Sequence, residues 1–213
     1  YFLKLNFFVF FNVNGVLKIY YNQINLVPIY PGIVQWVNVN GDDYLDLVTI
    51  GSDENEELGL RVYLNNSNYV FSKGLTWDSN IYGVTAGSVA FADYNSDGRD
   101  DFVLTGLNRN NQLVTYILTN SINRYEVKTG HVLEGVFFGK PSWGDYDSDG
   151  DLDLIITGQS NRDPSMGLGL DPITIVYKQS GSGSFEIDNM LTLDSVGVSF
   201  SQWGDYDSDG DLD

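Results

Sequence analysis

The chain has 213 residues, 29 acidic against 11 basic side chains, a formal net charge of -18, 42% apolar residues, 14% aromatics and no cysteine. At ~100–200 residues per domain this is one large domain or two small ones, apolar enough for a core, which excludes a disordered acidic tail. So negative a surface repels a phosphate backbone, and no nucleic-acid partner is expected. The lack of Cys and the single His exclude disulfides, thiolate sites and His-rich zinc sites, so any metal must be held by oxygen.

The opening run Tyr1–Phe11 resembles the apolar part of a signal peptide, but no basic head precedes it and no small-residue cleavage site follows. It is also shorter than the ~20 apolar residues of a spanning helix, so no membrane span is expected in this segment. Because the chain does not begin with Met, it is expected to be processed or an excerpt. Leu5–Phe11, Leu17–Tyr21 and Leu26–Ile29 read as strands two, three and four of an incomplete repeat.

Four segments then align without gaps: Trp36-Val-Asn-Val-Asn-Gly-Asp-Asp-Tyr-Leu-Asp46, Phe91-Ala-Asp-Tyr-Asn-Ser-Asp-Gly-Arg-Asp-Asp101, Trp143-Gly-Asp-Tyr-Asp-Ser-Asp-Gly-Asp-Leu-Asp153 and Trp203-Gly-Asp-Tyr-Asp-Ser-Asp-Gly-Asp-Leu-Asp213. Their first ligand-type residues, Asn38, Asp93, Asp145 and Asp205, lie 55, 52 and 60 residues apart. After each of the first three comes an apolar run ending in Gly (Leu47–Gly51, Phe102–Gly106, Leu154–Gly158). A second run follows (Leu60–Leu64, Val114–Leu118, Ile173–Tyr177), then a turn and a short aromatic run (Tyr69–Phe71, Tyr125–Val127, Phe185–Ile187). With the stretch leading into each acidic segment, one period holds four β-strands, and helical periodicity is absent.

The fold class is therefore all-β: a β-propeller of four-stranded antiparallel blades, three complete and two partial. The repeat units run over 1–30 (partial), 31–86, 87–138, 139–198 and 199–213 (partial). Three readings of the ends stand side by side: an excerpt of a longer propeller, a closed four-blade ring, or strand exchange between copies in a filament.

Oxygen donors alternate along each acidic loop. In the third, Asp145, Asp147 and Asp149 stand at positions one, three and five, Gly150 permits the turn, Asp151 offers its carbonyl and Asp153 a last carboxylate. This is the logic of a calcium loop in which a strand, not a helix, follows. The other loops present Asn38, Asn40, Asp42, Tyr44 and Asp46; Asp93, Asn95, Asp97, Arg99 and Asp101; and Asp205, Asp207, Asp209, Asp211 and Asp213. Up to four Ca²⁺ are expected, one per loop, with affinity highest in the loops from Asp145 and Asp205, lower from Asp93 and lowest from Asn38. In that first loop Asp43 occupies the place of the turn glycine, where a left-handed residue would be strained. Four ions would bring the charge from -18 to about -10.

Asp-x-Asp-x-Asp-Gly-x-x-Asp between strands, with an aromatic two residues ahead and a Thr-Gly or Ile-Gly closing the next strand, resembles the FG-GAP/VCBS repeats of integrin-α-like propellers. Phe138-Gly139-Lys140-Pro141 echoes the Phe-Gly, but no Gly-Ala-Pro follows, and Ile155-Ile156-Thr157-Gly158 favours the VCBS-like branch. The resemblance implies a calcium-stabilised propeller, usually of seven blades, in a secreted or cell-surface protein.

The expected function is non-enzymatic adhesion or recognition, since the acids repeat as ligands rather than forming one distinctive pair and no Gly-x-Ser-x-Gly occurs. An extracellular filament subunit is the second reading and a lectin-like propeller the third. A protein or glycan ligand is expected opposite the calcium loops, on segments such as 52–58, 107–112 and 159–171, the last with Arg162, Asp163 and Met166; copies of the chain itself are the other candidate partner. Trp36, Phe91, Trp143 and Trp203 are expected in packing between sheets, and Tyr94, Tyr146 and Tyr206 in structural roles. Asn65-Asn66-Ser67 is a glycosylation sequon on an expected hairpin turn.

Overall fold

The computed structural model describes residues 10–14, 16–19, 26–66, 71–74, 76–77, 83–121, 124–128, 130, 133–160, 171–181 and 183–213. These residues contain fifteen strands and no helix. They are β1 Phe10–Val13, β2 Val16–Ile19, β3 Gly32–Val37, β4 Asp46–Ser52, β5 Leu58–Asn65, β6 Phe71–Lys73, β7 Thr76–Trp77 and β8 Thr85–Ala92. The chain continues with β9 Asp101–Leu107, β10 Leu113–Asn120, β11 Arg124–Val127, β12 Pro141–Gly144, β13 Asp153–Ser160, β14 Asp171–Ser180 and β15 Ser184–Ile187.

Three antiparallel meanders result: β3-β4-β5-β6, β8-β9-β10-β11 and β12-β13-β14-β15. Each is one repeat, and each acidic loop joins its first strand to its second. β7, a strand absent from the sequence reading, leaves the first repeat and pairs in parallel with β11, placing Thr76 beside Arg124. β1 and β2 form a separate hairpin.

The second strands are buried on both faces, and the middle sheet is sandwiched between its two neighbours. Val48 and Ile50 of β4 pack with Phe102 and Leu104 of β9, while Val103 of β9 packs with Leu154 and Ile156 of β13. Each such side chain, fully buried, contributes ~1.5–3 kcal/mol. Sheet-on-sheet stacking of successive repeats is the packing of propeller blades. The glycine closing each second strand is required where strand one crosses it: a Cβ on Gly51 would lie 2.4 Å from the Pro31 carbonyl oxygen, at a φ of +155.

Leu26–Ile29 is not a strand, contrary to expectation. Pro28 and Pro31 remove ladder donors, and the segment leads into β3 instead, with Val27 N–H donating to the Tyr63 hydroxyl and Tyr30 N–H to Ser52 O. The other early expectations hold in part. β2 covers Leu17–Ile19 and β1 begins at Phe10, whereas residues 1–9 and 20–25 lie outside the described residues, as do Tyr69, Ser67 of the sequon and 161–170 of the long loop.

Candidate functional site: the acidic hairpins

Each hairpin is organised by its first residue. Asp145 accepts Asp149 N–H and Gly150 N–H, both at 3.0 Å. Asp205 accepts the equivalent Asp209 and Gly210 at 3.1 Å, and Asp93 accepts Asp97 at 2.9 Å and Gly98 at 2.8 Å. Left-handed residues at positions four and six, Ser148 and Gly150 in the third loop, curl the backbone so that these N–H groups point inward. Position five then caps position seven: Asp42, Asp97, Asp149 and Asp209 accept from Tyr44, Arg99, Asp151 and Asp211.

The first loop is built differently. Gly41, at position four, takes φ +76, while Asp43 is not left-handed, so the strain expected at Asp43 does not arise. Asn38 and Asn40 fill ligand positions with amides, Asn40 Nδ2 donating to Asp42 Oδ2 at 2.8 Å. In the second loop the Arg99 guanidinium pairs with Asp97.

The structure gathers Asp145, Asp147 and Asp149, and likewise Asp205, Asp207 and Asp209, with one carboxylate oxygen of each within 4.8 Å of the others. The donors are all hard oxygens, and Asp147 Oδ1 is buried without a hydrogen-bond partner. Both features fit a divalent cation such as Ca²⁺. A protein cation already faces the third cluster: Lys178 Nζ pairs with Asp147 and lies 3.3 Å from Asp149 Oδ2.

Position nine stands apart from these triads. Asp46, Asp101 and Asp153 are fully buried. One oxygen of each accepts the N–H of the last or near-last residue of strand three: Asn65 at 2.8 Å, Asn120 at 2.7 Å and Gln179 at 2.8 Å. The other oxygen accepts the position-two N–H, from Val39 at 2.9 Å and Tyr146 at 3.3 Å, whereas Asp101 Oδ2 is buried unpaired. Burial holds all three above the usual carboxylate range, Asp101 at about 7, with Asp97 and Asp93 adding repulsion there.

The recurrent aromatics pack between repeats. Tyr94 stacks on Trp143 of the next repeat at 5.6 Å and 8°, and Tyr146 on Trp203 at 5.5 Å and 7°. Each indole N–H bonds a strand-one carbonyl of the preceding repeat, Trp143 to Ala90 and Trp203 to Ser142. Trp36, by contrast, is 41% exposed and lies against Phe71 of its own sheet.

Sequence reasoning missed Asn120, Gln179, Lys178 and Asp188, the last of which accepts the Tyr146 hydroxyl. A usable signal existed for Asn120: an amide recurs 19 residues after position nine, at Asn65 and Asn120, and the longer insertion before β14 delays Gln179 to 26.

Successive four-stranded antiparallel sheets, each with an oxygen-rich loop after its first strand, make an all-β repeat protein whose sheets are consistent with propeller-like blades. Residues 38–104 match the model of the FG-GAP-like repeat. A solved structure described as the basis of specific recognition of non-reducing terminal N-acetylglucosamine by an Agrocybe aegerita lectin is similar at 16% identity and a TM-score of 0.49. That alignment covers 79% of this chain, which spans 42% of the lectin chain's length. No curated protein matches the chain. Among the described residues, no helix is long and apolar enough to cross a membrane.

Proposed function

We propose that this chain is a calcium-stabilised, non-enzymatic recognition module that works outside the cell, with Ca²⁺ in the acidic hairpins and a protein or glycan ligand on the opposite ends of the sheets. The observation that carries the reading is the convergence of Asp145, Asp147 and Asp149, repeated at Asp205, Asp207 and Asp209. Three carboxylates so close repel one another unless a cation joins them. Calcium here is a staple: it would fix the turn between strands one and two and leave the segments around 52–58 and 107–112 free to vary. Extracellular calcium modules typically bind at ~10⁻⁴–10⁻³ M, which suits millimolar calcium and not a resting cytosol.

A metal that binds only the folded state stabilises it by ~2.7 kcal/mol per site at a hundredfold excess over Kd. With ~2–4 °C per kcal/mol for a chain of this size, one loaded loop corresponds to ~5–10 °C. EDTA should therefore lower the melting temperature by about 5 °C or more, and calcium should restore it; an unchanged melt rejects the calcium staple. Glycan-array and pull-down binding, with and without chelator, test recognition separately.

A second reading is self-association. Among the described residues, the Tyr-on-Trp stack seen twice between repeats has unmatched halves in Trp36 and in Tyr206, which is 84% exposed. Light scattering and imaging of fibres would distinguish it.

A further inference from the structure

We propose that Asn120 and Gln179 couple the metal loops of neighbouring repeats, so that loading one loop changes the calcium affinity of the loop before it. The inference rests on the calcium reading above. Gln179, only 3% exposed, is held at two ends. Its main-chain N–H donates to Asp153, position nine of the third loop, and its side-chain Nε2 donates 3.2 Å to the carbonyl of Tyr94, position two of the second loop.

Asn120, fully buried, repeats the arrangement one repeat earlier. Its N–H donates to Asp101, position nine of the second loop, and its Nδ2 donates 2.7 Å to the carbonyl of Val39, position two of the first. Two independent seams carry the same pair of bonds with different residue types, so the register and not one residue's chemistry selects the contact. In the first and third loops the position-two N–H returns to the position-nine carboxylate of its own loop. Hydrogen bonds thus run from the metal loop of one repeat to the backbone of the loop before it.

Any movement of the position-nine carboxylate toward a cation shifts the end of strand three, and the amide carries that shift across the seam. The alternative for the amide is costly. Asn120 Oδ1 and Gln179 Oε1 are already buried without partners, so turning the Gln179 amide away would strand its donor as well. Asn120 Nδ2 is further fixed by the Asp100 carbonyl of its own loop at 3.3 Å, so each amide is held in place, as a coupling element must be.

The test is a calcium titration of the full chain followed by ¹⁵N-correlated NMR. The Gly98 and Gly150 amides, each bonded to the first carboxylate of its own loop, report loading loop by loop. Asp149→Asn disables the third loop and should weaken calcium binding at Gly98 by about 5-fold or more, the lower end of usual site-to-site coupling. In a Gln179→Met background, which keeps the length and removes the donor, the same Asp149→Asn change should leave the Gly98 midpoint unmoved. A merely structural Gln179 would lower stability without abolishing this difference. If Asp149→Asn leaves Gly98 unaffected in the otherwise unaltered chain, the coupling is overturned while the calcium reading stands. If neither glycine responds to calcium, both fall.

Discussion

Two nonapeptides in this chain are identical, Asp145–Asp153 and Asp205–Asp213, yet they stand in different surroundings. The third loop is framed by a finished sheet: Asp153 is buried against Gln179, Tyr146 is wedged on Trp203 and bonded to Asp188, and Lys178 faces the carboxylates. In the fourth loop, Asp205–Asp211 and Asp213 are all exposed, Asp213 bonds only within its own hairpin, and Tyr206 has no indole beneath it. Nevertheless, both curl the same way around their first Asp. Loop conformation is thus written in the nine residues, while burial of its last carboxylate is imposed by the third strand.

That contrast can be broken most sharply by disabling one loop at a time. At a hundredfold excess of calcium over Kd, Asp149→Asn should lower the melting temperature by ~5–10 °C, following the mass-action scale of one site. In a chain of these 213 residues, Asp209→Asn should lower it by no more than ~2 °C, because its exposed loop can open locally without unfolding the sheets. Equal shifts in calorimetry would mean that the third strand adds nothing.

A smaller effect concerns affinity. Lys178→Met removes a competing cation from the third cluster, and two charges at 4 Å in water-like surroundings interact by ~1 kcal/mol. Calcium binding there should tighten about 5-fold, as followed at the Gly150 amide, with the fourth loop at Gly210 unchanged. Tightening at both loops, or at neither, would remove Lys178 from the account.

The remaining contrast is one of pH. In chelator, folded Asp101 titrates at about 7, whereas an unfolded carboxylate does so near ~3.9. The folded chain therefore binds the extra proton between these values, and stability should fall as pH rises from about 4 to about 7 and then level. Asp101→Asn should flatten that slope in urea melts, while Asp213→Asn, at an exposed carboxylate, should leave it intact. A slope indifferent to Asp101 would mean that its burial is relieved by some other movement.

Much of this was legible beforehand. Strands two, three and four of the repeats follow from β-branched and aromatic runs such as Ile173–Tyr177 in β14, and the loops from their alternating acids. What escaped was set by tertiary context. Pro28 sits in an apolar run that reads as strand but lacks a donor to pair. β7 is two residues long and is a strand only because β11 lies beside it. Gln179 looks like a polar strand end, and nothing in its neighbours reveals that a carbonyl 85 residues earlier takes its side chain. Asp43 misled in the other direction, since Gly41 had already absorbed the left-handed turn.

The short parallel strand has one further effect. Outermost strands expose unpaired peptide groups that invite foreign polypeptide. By lying along β11, Thr76–Trp77 seals that rim of the middle sheet with material from the repeat before it. Among the described residues β6 and β15, the corresponding outer strands of the flanking sheets, carry no such cover, so on this side an intruding chain would find a longer free edge there than on the middle sheet.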